Sequence, residues 1–332
     1  MAKAIHIYKY PTKTVNPRSW GRVNRFIIMT TAALVVALSI AGQEQLRVDV
    51  RLVNITATVK DANGVFVKQL RQEDFIVEED GVPQRITHFS QDLAVPVSVG
   101  ILLDTSGSMS FRMKSATDAV MRFTRNIHKD DVIFLMTFAG GTVLRQDFTS
   151  DRSLIARALR SLNQPNDRFN VVLDAITALN DALKIAIEKV HQGRHIKRAI
   201  LLVSDGQDTW SKTTADELSN TMRRSDVLIY SLGVGDPIPS NSPNAASLRG
   251  AVNIAGLNKY ADITGGSATL IKDERSNHLN AVLSGIEEEL RNQYSLAYYR
   301  TTPDDGRFHT IRVRTRDGLV ARTRSGYLAP QN

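Results

Sequence analysis

The sequence predicts an α/β fold in which a doubly wound, mostly parallel sheet is inserted between an N-terminal and a C-terminal β segment. Three observations carry that prediction. From Val95 onward, continuous apolar runs fit for buried strands alternate with stretches of helical spacing. Before that point and after Gln293, apolar and polar residues alternate one by one, as in half-buried antiparallel strands. Finally, 332 residues with 42% hydrophobic and 23% charged content suffice for about two globular domains.

Residues 1–41 read as a signal peptide or N-terminal anchor. Arg22 and Arg25 precede FIIMTTAALVVALSIAG, an uncharged run as long as a signal h-region and short for a membrane span. Ser39 and Ala41 place small residues where cleavage before Gly42 would need them. An uncleaved anchor is the other reading, and membrane contact is then expected only through this segment. On both readings the bulk of the chain is exported, to a periplasm, a cell surface or the medium. The chain contains no cysteine, which excludes a disulfide framework, a thiol nucleophile and a Cys-type zinc site. Export without disulfides suits a bacterial envelope.

Net charge is +8, but residues 1–41 supply Lys3, Lys9, Lys13, Arg18, Arg22 and Arg25 and no acid. The basic balance belongs mostly to the leader, and aromatic content is only 6%, so a nucleic-acid reader is not indicated.

Residues 42–93 form the N-terminal β segment. LRVDVRLVNITATVKD and DFIVEEDGVPQRITHF both alternate, the second around a turn at Gly81-Val82-Pro83. The segment is too small for a core of its own. Residues 94–292 carry four strand signals, VPVSVGILLD, DVIFLMTFA, KRAILLVSD and DVLIYSLGVG. Between and after them lie helical stretches at 113–128, 150–162, 171–190, 213–224, 253–264 and 276–293, with Ser150 or Asp151 as a cap for the second. Residues 293–332 form the C-terminal β segment, read as three antiparallel strands, and the two β segments are expected to pair into one small sandwich.

The chemistry gathers where strands end. In a doubly wound sheet, ligands bind outside the carboxyl ends of the strands. GILLDTSGSMS, residues 100–110, takes Asp104 to such an end and follows it with Thr105, Ser106 and Ser108; LLVSDGQD does the same for Asp205. Two carboxylates and several hydroxyls make an all-oxygen site, which suits a hard cation such as Mg²⁺. Hydroxyls leave the ion short of negative charge, so it attracts an acid from outside.

Asp104-x-Ser106-x-Ser108 with the later Asp205 resembles the metal-ion-dependent adhesion site of von Willebrand factor type A domains. The resemblance covers residues 95 to about 292. It implies that both serines bind the ion directly, that the aspartates act chiefly through water, and that a protein ligand supplies an acidic residue at the sixth position. It also implies a threonine from another loop, usually within T-A-L-x-D-A-I. The stretch NVVLDAI places Asn170 at that position, whose amide oxygen has a longer reach. Mg²⁺ is the expected ion, with Mn²⁺ or Ca²⁺ as alternatives. The flanks are similar to those of a bacterial, acidobacterial-type branch of exported relatives.

Other features read as ordinary. Asp208 and Ser211 are expected to cap or brace their loop. His191 and His195 lie four apart, but Gly193 between them marks a helix end, not a zinc pair. The Asn54-Ile55-Thr56 sequon falls in a predicted strand. For an enzyme, a phosphotransferase would want an acid where Ser106 stands, and a serine hydrolase would want G-x-S-x-G; neither is present. The expected function is therefore a non-enzymatic, metal-dependent protein-binding module. The alternatives are a structural envelope protein with a weak or vestigial site, and a hydrolase using the same edge.

Overall fold

The computed structural model describes residues 52–92, 95–162, 176–237, 251–272 and 277–331. The leader and Asn170 lie outside them. The N-terminal segment supplies β1 (Leu52–Lys60), β2 (Phe75–Glu79), β3 (Val82–Gln84) and β4 (His88–Asp92). The six-stranded sheet is built from β5 (Val97–Asp104), β6 (Val132–Phe138), β7 (Thr142–Thr149), β8 (Lys197–Ser204), β9 (Leu228–Val234) and β10 (Ser267–Ile271), in the order β10-β9-β8-β5-β6-β7. All neighbours run parallel except β7, which folds back on β6.

Helices cover both faces. α1 (Met113–Asn126), α2 (Arg152–Ser161) and α6 (Asn277–Arg291) pack on the side of Val99, Ile101 and Leu103. α3 (Leu179–Val190), α4 (Ala215–Arg224) and α5 (Ile254–Thr264) pack on the side of Leu102 and Ile200. Every residue of β5 is buried, because a central strand with both faces covered has no solvent side. Gly100 is required there: a Cβ would lie 2.4 Å from the Phe134 ring, which crosses β5 at that point.

β7 and β10 extend the four-strand reading. TVLRQDFT is an edge strand, mostly half-exposed, without the apolar run that marks a buried one. The helix expected over 171–190 starts only at Leu179, residues 176–178 being an irregular approach to it. Asp151 is the α2 cap, accepting from Ser153 N at 2.8 Å.

The flanking segments interleave. β11 (Gln293–Tyr299), β12 (Phe308–Thr315), β13 (Val320–Arg322) and β14 (Gly326–Leu328) come from the C-terminal segment. One sheet runs β13-β1-β11-β4 and the other β14-β12-β2-β3, so each contains strands from both ends of the described chain. Their facing side chains, among them Ile55, Val77, Tyr294, Leu296 and Val313, form one buried cluster. The third predicted C-terminal strand splits in two, because Thr323–Ser325 carries the chain from one sheet to the other. The turn between β2 and β3 is made by Asp80 and Gly81, both at positive φ, and Pro83 falls within the short edge strand β3.

Candidate metal centre

Adjacent parallel strands β5 and β8 end side by side, with Leu103 opposite Val203. The next residues therefore bring Asp104 and Ser204 together, and Ser204 Oγ donates to Asp104 Oδ2 at 2.6 Å. Asp104 Oδ1 accepts from Ser106 N at 2.9 Å, a short turn that swings the chain back over the strand end. A 3-10 turn, Gly107–Arg112, follows. Ser106 Oγ and Ser108 Oγ consequently lie 3.1 Å apart. Thr105 faces the other way, its N and Oγ1 both donating to Phe138 O.

Asp205 enters from β8. Its Oδ1 accepts from Gln207 N at 3.0 Å, and Gly206, at φ +75°, makes the turn that directs the following loop away. Oδ2 of Asp205 is buried and has no hydrogen-bond partner. Asp104 and Asp205 are both 0% exposed. Burial first, then the charge of Asp205, pushes the Asp104 carboxyl up to about 7, against the hydrogen bonds from Ser106 and Ser204. Two buried carboxylates side by side, one oxygen of them unserved, concentrate acceptor oxygens at the strand ends. Ser106 and Ser108 add uncharged oxygens beside it. This donor set fits a divalent cation.

The structure brings together Asp104, Ser106, Ser108 and Asp205. Thr177, which reading by sequence passed over, lies against the loop that follows Asp205. Thr177 is buried, and its carbonyl accepts from Thr209 N at 2.9 Å and Trp210 N at 3.0 Å, in the loop after Asp205. Its own N donates to Thr209 Oγ1 at 2.9 Å. The next residue ties to the end of β6, Ala178 N donating to Ala139 O at 2.7 Å. Thr177 is thus held between the loop after Asp205 and the end of β6. The signal was available: Thr177 opens TALNDA, closer to the T-A-L-x-D-A pattern than NVVLDA around Asn170.

Asp208 and Ser211 brace the loop, as expected. Ala178 before α3 cannot cap that helix, so Asp208 Oδ1 accepts from Leu179 N at 3.0 Å and Ser211 Oγ from Asp181 N at 3.1 Å. His191 and His195 part company at the end of α3, towards Ile187 O and Asp226 in one case and Asp130 O in the other. A further group, Glu79, Asp80 and His309, has ligand-type atoms within 4.8 Å of one another. Those atoms are engaged: His309 bridges Asp80 and Asp305, while Glu79 takes the hydroxyls of Tyr298, Thr302 and Tyr327. This group ties the sandwich together.

Residues 99–207 match the model of the von Willebrand factor type A domain. Asp104, Ser106, Ser108, Thr177 and Asp205 all fall within the matched residues. An uncharacterised protein of Borreliella burgdorferi is 25% identical over 149 residues, covering 43% of this chain and 42% of that protein. The chain thus spans less than half the length of that relative. Among solved structures, BatB from Bacteroides thetaiotaomicron is 22% identical with a TM-score of 0.46, covering 59% of this chain and all of that one. A von Willebrand factor type A protein of Catenulispora acidiphila is 11% identical with a TM-score of 0.46, covering 85% of this chain and 74% of that one. Manganese-loaded TRAP protein of Plasmodium vivax is 12% identical with a TM-score of 0.44, covering 73% and 83%.

Proposed function

We propose that this protein is an exported, non-enzymatic module that holds one divalent cation and uses it to bind a carboxylate of a protein partner. Asp104, Ser106, Ser108 and Asp205 hold the ion, with Thr177 in the place that the sequence pattern suggested for Asn170. Mg²⁺ is the resident ion of choice for an all-oxygen set with hydroxyl donors, ahead of Mn²⁺ and Ca²⁺. The observation that carries this reading is the orphaned Oδ2 of Asp205 beside a second buried carboxylate. When bound, the ion supplies a positive centre that an outside carboxylate can complete. The chain's own residues keep that centre rigid: Ser204 and the Ser106 amide fix Asp104, and the Gln207 amide fixes Asp205.

The rim supports a macromolecular partner. Phe111 is fully exposed on the loop after Ser108, and Trp210 is 62% exposed on the loop after Asp205. Large aromatics displayed on the two loops that carry the acids suit a protein interface. Export rests on the leader of residues 1–41. A non-enzymatic role is favoured because His191, His195 and His309 all have partners away from the strand ends.

Capture from envelope extract by the immobilised full chain tests this reading. Partners should be retained in Mg²⁺, released by chelator, and lost with Ser106→Ala. Partners held equally well in chelator, by a protein that stays folded, would instead make the ion structural. Turnover on esterase and phosphatase substrates would favour an enzyme.

A further inference from the structure

At the opposite rim of the six-stranded sheet lies a cavity of about 570 Å³, within the size range of small-molecule sites. Its floor is the start of the parallel strands, Val97 and Leu228 among them, and its roof is the outer face of β11. The sequence makes this space. Along β11, Tyr294, Leu296 and Tyr298 enter the sandwich core, so the alternate residues Gln293, Ser295 and Ala297 face the cavity and leave it unfilled.

The lining has a surplus of donors. Arg198 Nε, Gln293 Nε2 and Arg324 Nε are buried without a hydrogen-bond partner, and Gln293 is 1% exposed. Asp226, the lining acid, is already engaged at both oxygens, Oδ1 by His191 and Oδ2 by Arg198. Arg324 spends Nη2 on the neutral carbonyl of Asn54, 2.5 Å away. Burial pulls the Arg324 pKa down, more than the negative charge of Asp226 offsets. Arg198 and Arg324 outnumber Asp226, so the missing group is an anion with acceptor oxygens. The leader, with six basic residues and no acid, has the wrong charge to fill it.

We propose that this cavity binds a small oxyanion-bearing molecule, a carboxylate or phosphate, with its oxygens on Arg324 and Gln293 and its remainder against Val97 and Leu228. The site is separate from the metal centre and does not depend on it.

Thermal unfolding and calorimetry of the full chain test this, with hexanoate and inorganic phosphate as probes and hexylamine as the cationic control. The expected result is a concentration-dependent rise in Tm with at least one anion and none with hexylamine. Arg324→Met should weaken binding at least tenfold. Ser295→Phe, which fills the space, should do the same and serves if Arg324→Met does not fold. Ser106→Ala should leave the shift intact. A shift with hexanoate assigns the anion to a carboxylate, and one with phosphate alone assigns it to phosphate. No shift with either anion, or an equal shift in Arg324→Met and Ser295→Phe, overturns the proposal.

Discussion

Asp104 and Asp205 end on adjacent strands, both fully buried, yet only Asp104 has a hydrogen bond at each carboxylate oxygen. A buried acceptor left unserved costs about 1–3 kcal/mol. The repulsion between the two acids adds to that. The fold tolerates this locally unfavourable arrangement at one edge of an otherwise well-packed sheet. Asp205→Asn should therefore stabilise the metal-free chain while removing its response to divalent ions. Urea unfolding in chelator and in Mg²⁺ checks this: the variant should exceed wild type in chelator by about 1–3 kcal/mol. A variant less stable than wild type in chelator would contradict it.

Ion binding should stabilise the wild type. At an ion concentration one hundred times Kd, mass action predicts about 2.7 kcal/mol. Ser106→Ala should lose most of that gain, read as the difference in unfolding midpoint with and without Mg²⁺. An equal gain in both proteins would mean that the ion sits elsewhere.

Thr177 and Asn170 make opposite predictions for the loop ligand. Thr177→Ala should weaken Mn²⁺ binding by more than about tenfold, whereas Asn170→Ala should change it by less than twofold. Isothermal titration of the two variants decides between them. The reverse order would restore Asn170 to the site.

His309 gives the sandwich a pH dependence. Burial opposes its charge, but hydrogen bonds to Asp80 at 2.7 Å and Asp305 at 3.3 Å outweigh it and raise its pKa. Glu79, 3.9 Å away, faces the same ring. A raised pKa contributes stability below the unfolded value near 6.5 and loses it as pH rises through the folded value. On the acid side, Asp80 and Asp305 have lowered values, so their share fades as pH falls through those. The stability gap between wild type and His309→Gln should be widest just below pH 6.5 and narrow towards pH 9. Urea unfolding across that range measures it; a gap that widens with pH would contradict the assignment.

Much of this was legible in the sequence, for identifiable reasons. VSVGILLD announced a central strand because burial on both faces removes alternation, and its terminal acid marked the functional edge. Asp104, Ser106 and Ser108 were readable because they are close in sequence, and Asp205 because a second apolar strand delivers it. Thr177 was passed over because NVVLDAI and TALNDA both approximate the same pattern, and its hydrogen bonds with Thr209 and Trp210 arise only in the fold. β7 escaped because an edge strand lacks an apolar run, and the pairing of β1 with β11 joins residues more than two hundred positions apart. The charged group around Glu79 was invisible for the same reason, since Tyr298 and Tyr327 reach it from distant strands.

The central claim is that one divalent ion is coordinated by the two serine hydroxyls above the acid pair. Anomalous diffraction from crystals soaked in Mn²⁺ tests it most directly. The account predicts a single strong peak between Ser106 Oγ and Ser108 Oγ, close to Asp205 Oδ2. A peak at Glu79 and His309 instead, or no peak at the strand ends, would contradict it.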